Sequence, residues 1–262
     1  MENSEIIWKV KRDSTINLIK EGKRTDNRKF DEYRKIDIKE GIIGKAEGSC
    51  WIKMGNTELV VGIKLTMGTP YPDSPDEGVL ITGAELSPIA SEEYFSGPPD
   101  ESTIELARVV DRGIRESKTI DTKKLCVEVG EKVWMVIIDI HILNYDGNLI
   151  DAATLAAMKA LQNTYIPEIK DDKVIREKTN KKLPLTKVPV ACSFAKIAGK
   201  NVLDPKTDEE KAMDSRITIT TTKNGNICAM QKSAVGEYSI EEIDELTKIA
   251  IVKGKELRKF LS

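Results

Sequence analysis

Arg108, Arg112 and Arg115 stand at i, i+4 and i+7 in the segment Glu105-Leu106-Ala107-Arg108-Val109-Val110-Asp111-Arg112-Gly113-Ile114-Arg115. On a helix this spacing places all three guanidinium groups on one face. Guanidinium groups fork onto paired phosphodiester oxygens, so such a stripe suits a nucleic-acid backbone. The spacing equally suits a solvated face laced with ion pairs, because Glu105–Arg108, Asp111–Arg115 and Arg112–Glu116 are each about one turn apart. Other chemistry-bearing residues are sparse. The only histidine, His141, lies in the apolar stretch 136–143, where a buried, hydrogen-bonded ring is expected rather than a base. Cys50, Cys126, Cys192 and Cys228 are far apart, with no Cys-x-x-Cys pair, and are expected to be reduced and mostly buried thiols. With so few soft ligands, no metal site and no cofactor is expected.

Charge and hydropathy narrow the classes. Lys and Arg number 41 against 43 Asp and Glu, for a net charge of −2. That balance gives no global basic field, so any nucleic-acid contact needs a local patch or a partner chain. No apolar run reaches the roughly 18 residues of a membrane span. The start, Met1-Glu2-Asn3-Ser4-Glu5, lacks the basic-then-apolar pattern of a secretory signal, and a cytoplasmic protein is expected. The chain is long enough for one large domain or two small ones.

The elements that must position the arginines follow from periodicity. An amphipathic helix is predicted over 5–21, ended by Gly22. Two β-rich runs, 46–54 and 57–66, flank Gly55-Asn56 and read as a hairpin. The stretch 67–78, rich in Pro and Gly, reads as an exposed loop before a strand at 79–86. Ser102-x-x-Glu105 has the form of a capping box and opens the arginine helix, predicted to run to about residue 118. A second hairpin pairs 125–129 with 132–143. Asp146-Gly147 makes a turn, and 149–163 is a helix with many small residues, expected to be buried on more than one side. Residues 167–184 read as a charged connection. Strands are predicted at 187–198, 200–203, 215–222 and 226–232, with Asn224-Gly225 as a hairpin turn. Ser239-x-x-Glu242 caps a last helix over 240–259. Strands followed by helices, twice over, predict an α+β fold of mixed sheets with packed helices in two pseudo-repeated halves, divided as 1–165, a connector 166–185, and 186–262. Trp8, Trp51 and Trp134 lie among apolar residues and are expected in the core.

These residues resemble a known family. Gly22-Lys23-Arg24-Thr25-Asp26-Asn27-Arg28 is similar to the opening motif Arg-x-Asp-Gly-Arg of RNase PH-like proteins, with Asn27 in place of the glycine. Asn tolerates the positive φ that such a turn requires. The hairpin from Gly48 through Thr57 and the arginine helix also match. The stretch 134–161, with Asp139-Ile140-His141 and Asp146-Gly147-Asn148-Leu149-Ile150-Asp151-Ala152-Ala153, resembles most closely the non-catalytic RNase PH-type subunit of the archaeal exosome core ring.

The resemblance carries implications for chemistry. Phosphorolysis holds inorganic phosphate beside the scissile phosphodiester, typically on a helix N-terminus helped by a cation. Active family members carry Gly-Gly-Thr-Arg there. This sequence has Gly147-Asn148-Leu149-Ile150, so a glycine, the hydroxyl and the guanidinium are all replaced, and Asp151 is expected to add a repelling charge. A lost charge-assisted hydrogen bond costs about 1.5–3 kcal/mol. The loop is therefore expected to be degenerate. Active members also place two carboxylates six residues apart after a strand; Asp204 and Glu210 match those positions as a residual acidic site. Asp208, Glu209 and Asp214 crowd them, and a solvated acidic loop is the plain alternative.

The resemblance further implies partners. An active RNase PH-like sister would form a heterodimer with this chain, three pairs would close a hexameric ring, RNA-binding cap subunits would sit on one face, and single-stranded RNA would pass Arg108, Arg112 and Arg115. With 5% aromatic residues, no stacking platform for that RNA is expected. Two rivals remain at this point: that the chain is itself a phosphate-dependent 3′–5′ exoribonuclease using Asp204 and Glu210, or that it is an unrelated α+β binding module.

Overall fold

Residues 48–68 alternate with a period of two, and that pattern demands one buried face. In the structure, a computed structural model that describes residues 2–95, 97–170, 173–176 and 179–262, this stretch forms β2 (Gly48–Met54) and β3 (Thr57–Gly68). Ile52, Met54, Leu59, Val61, Ile63 and Leu65 point inward and are buried. Gly55, at φ +59°, turns the chain between them. β1 (Ile36–Glu40) pairs with β2, and β6 (Lys132–Asn144) pairs antiparallel with β3. β4 (Val79–Leu86) lies parallel to β6 at the far edge, giving the order β1-β2-β3-β6-β4, and short β5 (Cys126–Glu128) also pairs with β6.

The second sheet has the order β10-β9-β11-β12, from β9 (Val190–Ile197), β10 (Lys200–Leu203), β11 (Ser215–Thr221) and β12 (Ile227–Ser233). Helix α1 (Glu2–Lys20) packs on the short α4 (Thr207–Ala212), and α5 (Ile240–Leu257) packs on β9 and β11. α1 ends where Lys23 N–H reaches the Leu18 carbonyl and Gly22 N–H the Ile19 carbonyl, with Gly22 at φ +80°. Helix α2 (Glu101–Glu116) leans on the edge strands of both sheets, β4 and β12. Helix α3 (Leu149–Asn163) lies between the sheets, against β2 and β3 on one side and β9 on the other. Its alanines 152, 153, 156, 157 and 160 are fully buried, and these small side chains let both sheets approach one helix. One continuous core therefore joins Ile52, Leu155, Phe194 and Leu257.

Several expectations need correcting. Asp100, not Ser102, caps α2: its carboxylate accepts from the Thr103 N–H at 2.8 Å. The acidic stretch after β10 is helix α4 rather than a loop. The connector contains a small hairpin, β7 (Glu168–Lys170) and β8 (Lys173–Ile175); residues 171, 172, 177 and 178 of it lie outside the described residues. His141 is not buried. Alternation along β6 puts Ile140 and Ile142 inside and His141 outside, 3.1 Å from Glu85, its partner across the parallel register. Of the tryptophans only Trp134 is buried; Trp51 sits on the outer face with its indole N–H on Glu58, and Trp8 lies beneath the ammonium groups of Lys11 and Lys211.

Candidate functional site

The turn before α3 decides what its N-terminus can hold. Gly147 (φ +81°) and Asn148 (φ +52°) are both left-handed, so Asn148 keeps a backbone course that usually selects glycine. A side chain at Gly147 could not be accommodated, because a Cβ there would lie 2.4 Å from the Pro205 carbonyl oxygen. The 205–207 backbone thus packs directly on the turn. The N–H of Asn148, where an incoming anion would be met, donates to Glu210 Oε1 at 3.0 Å. The Tyr145 hydroxyl donates to the other oxygen, Oε2, at 2.6 Å, and Arg216 stands 3.6 Å from Oε1. Burial and the neighbouring Glu210 charge raise the Tyr145 phenol well above its ordinary value, so it remains a neutral donor.

Asn148 ties three carboxylates together, two through its side chain and one through its main chain. Its Nδ2 donates to Asp151 Oδ2 at 3.0 Å and to Asp204 Oδ1 at 2.8 Å, while its main chain holds Glu210. Asp151 was expected to repel an anion from the loop; instead it lies buried behind the loop, tied to the Asn148 side chain and to β9. It is 1% exposed and accepts from the Tyr33 hydroxyl, the Ser193 N–H and the Ser193 hydroxyl, pinning α3 to β9. Burial pushes its carboxyl up to about 6 against the pull of those donors. The charge that faces the loop belongs to Glu210.

Asp204 is neither a solvated loop residue nor an accessible carboxylate. It is fully buried, with φ +51°, and Arg34 holds it bidentately at 2.7 and 2.9 Å while Arg28 adds a bond at 2.9 Å. Burial alone would raise its carboxyl; the hydrogen bonds and charges of Arg34 and Arg28 bring it below the ordinary range. Arg34 also donates to the carbonyls of Asp146 and Gly147, so one guanidinium fixes both the acidic residue and the turn. Leu149 and Ile150, at the hydroxyl and guanidinium positions, line a cleft of about 300 Å³ with Tyr94, Tyr145 and Glu210. Its cations, Arg216 and Lys211, are already engaged by Glu105 and Glu93 respectively.

The arginine face is the opposite case. Arg108, Arg112 and Arg115 are exposed along α2 and line a groove of about 410 Å³ against β4. Of the expected pairs only Asp111–Arg115 forms, at 2.9 Å. Arg112 donates instead to Gln231 at 3.0 Å, and Glu105 turns inward to Arg216. Arg108 has no hydrogen-bond or ion-pair partner among the described residues. Tyr71, 55% exposed, stands in the same groove, so an aromatic surface is present where composition led to none being expected.

A model of domain 1 of the 3′ exoribonuclease family matches residues 32–167, and one of domain 2 matches residues 187–253. The chain belongs to this RNase PH family. The exosome complex component Rrp42 of Thermococcus gammatolerans is 48% identical over 265 residues, covering 100% of this chain and 97% of the relative. A chain of the Archaeoglobus fulgidus exosome, solved with RNA bound to the active site, superposes with a TM-score of 0.93 at 45% identity, over 98% of this chain and 100% of that one. A chain of an archaeal exosome core gives 0.89 at 42% identity, over 99% of each. The α+β RNase PH fold is thereby established. Within that fold, Arg34, Tyr145 and Arg216 carry much of the geometry and had no distinguishing sequence signal. Tyr145 alone stood next to a recognisable feature, the Asp146-Gly147 turn.

No helix among the described residues is long and apolar enough to cross a membrane.

Proposed function

We propose that this chain is a non-catalytic, RNA-guiding subunit of an archaeal exosome-type 3′–5′ exoribonuclease ring in the cytoplasm. An active RNase PH-like sister pairs with it and supplies the phosphate site and the catalytic carboxylate. Three such pairs form the ring, and RNA-binding cap subunits sit on one face. Residues 1–165 and 186–262 act as the two RNase PH-like units, joined by 166–185. The relatives' names and the archaeal exosome structures support the assembly.

The observation that carries the silent role is the Glu210 carboxylate on the Asn148 N–H at 3.0 Å. An internal anion occupies the position a phosphate needs, and the loop offers neither a hydroxyl nor a guanidinium to compete for it. Glu210 and Asp204 are both engaged in internal hydrogen bonds, which speaks against their use as a catalytic pair. The exposed guanidinium groups of Arg108, Arg112 and Arg115 support the RNA-guiding role, because phosphate contacts position a strand without reading its sequence.

The test incubates the purified chain with a short RNA and inorganic phosphate. No nucleoside diphosphate is expected until the sister subunit is added. Release by the chain alone overturns the silent reading in favour of an active phosphorolytic exoribonuclease.

A further inference from the structure

Beyond the arginine groove lies a second, larger hollow of about 590 Å³, a size typical of small-molecule sites. The two are continuous: Tyr71, Leu80 and Arg115 line both. Its walls are built rather than loose. Gly78 N–H bonds to the Thr122 carbonyl at 2.9 Å, Asp121 N–H to the Pro184 carbonyl at 2.9 Å, and Thr186 N–H to the Thr119 carbonyl at 2.7 Å. Gly78 is required there, because a Cβ would meet Leu125 Cβ at 2.5 Å and the Trp134 carbonyl oxygen at 2.8 Å.

The lining divides by chemistry. Val79, Leu80, Ile120 and Leu125 give the hollow an apolar wall. Tyr71 stands on its rim with its ring open to solvent. Arg115, Lys118 and Lys187 supply cations, and the ammonium groups of Lys118 and Lys187 have no partner among the described residues. The acidic residues present are already engaged: Glu77 accepts from the Thr122 hydroxyl at 3.0 Å, and Asp121 pairs with Lys124 at 3.0 Å. An apolar wall, an exposed aromatic ring and free cations side by side match the parts of one nucleotide: a flat base with a π-face and an anionic phosphate.

We infer that this hollow is a nucleotide-binding subsite for single-stranded RNA running off the arginine groove, with a base stacked on Tyr71 and its phosphate held by Lys118 and Lys187. The inference rests on the RNA-guiding reading of α2 and extends it to a defined base position. Stacking on a ring is tolerant of sequence, so the subsite adds affinity without base preference.

The test measures binding of a 12-nucleotide RNA to the complex of this chain with its sister subunit, over a range of salt. Three variants are compared: Tyr71→Ala, the pair Lys118→Asn with Lys187→Gln, and the triple Arg108→Ala, Arg112→Ala, Arg115→Ala. Asn is chosen at 118 because that residue has φ +54°. Tyr71→Ala is expected to weaken binding about tenfold with an unchanged salt slope, and Tyr71→Phe to restore it. The lysine pair is expected to weaken binding and lower the salt slope by about 0.7, the value for one phosphate on a single strand. If the arginine triple weakens binding while the tyrosine and lysine variants do not, the subsite is overturned and the guiding role stands. If the tyrosine and lysine variants weaken binding and the arginine triple does not, the subsite stands and the arginine role falls. Unchanged binding in all three removes both. Protection of the amides of 71–80 and 118–125 from hydrogen exchange on adding the sister without RNA identifies the hollow as a protein interface and also overturns the subsite.

Discussion

Two charged regions of this molecule lie one helical turn apart on α2 and behave in opposite ways. At Glu105 the helix faces the cleft before α3, where every described carboxylate and cation is matched: Glu105 with Arg216, Glu210 with Asn148 and Tyr145, Asp204 with Arg34 and Arg28. At Arg108 it faces an open groove in which only Arg115 has an ionic partner. The cleft has spent its electrostatic capacity on internal structure. The groove has not. Closely similar residue types are thus engaged in internal pairing in one place and left open in the other, and what separates them is whether a partner is already in reach.

The comparison breaks most visibly at Arg34. Arg34→Met leaves Asp204 buried with one of its two guanidinium partners gone, and about 3–5 kcal/mol of stability is expected to be lost in chemical denaturation. Adding Asp204→Asn to that variant should recover part of the loss, since the unpaired charge goes with it. A small loss for Arg34→Met would place the cleft on the same footing as the surface.

On the open side, the triple Arg108→Ala, Arg112→Ala, Arg115→Ala should leave the melting temperature nearly unchanged and lower the salt slope of RNA binding by about 2, three phosphates at about 0.7 each. A clear loss of stability instead would mean that the groove arginines are structural after all.

Glu210→Gln tests the proposed silence of the cleft. It replaces a charge-assisted bond to the Asn148 N–H by a neutral one, for an expected cost of about 1–2 kcal/mol. Phosphorolysis by the isolated chain should remain absent, because Leu149 and Ile150 still offer no hydroxyl or cation. Appearance of nucleoside diphosphates in this variant would assign the silence to Glu210 alone.

The smallest effect concerns Asp151. Its carboxyl is raised to about 6 in the folded protein, above its ordinary value of 3.8. The folded state therefore binds a proton that the unfolded chain has released, and this residue's contribution to stability falls as pH rises from about 4 to 6. Wild type should gain roughly 1 kcal/mol relative to Asp151→Asn on going from pH 7 to pH 5, read from paired thermal melts. Asp204 is lowered and acts in the reverse sense, losing its contribution only as pH falls below about 4. A wild-type-to-variant gap that is flat across pH 5–7 would show that Asp151 titrates normally.

Much of the fold was legible because its signals are local. The alternation through 48–66, the Gly55-Asn56 turn and the small-residue helix at 149–163 each lie within a few residues of their cause. α4 was missed because six residues carry no period, and β1 because its five residues are mostly charged. His141 was misplaced because an apolar stretch suggests burial on both faces, whereas β6 is covered on one.

For the site, the sequence by itself determined which groups are present at the loop before α3 and which are missing, and it placed three guanidinium groups on one helical face. Both follow from residue type and short-range spacing. Only the tertiary structure decided where each charge points. Arg34 meets Asp204 across 170 residues of chain, and Glu210 meets Asn148 across 62. Asp151 turns inward because β9 brings the Ser193 N–H and hydroxyl to it. Contacts of that range depend on how two sheets close on one helix, and no local pattern encodes that distance.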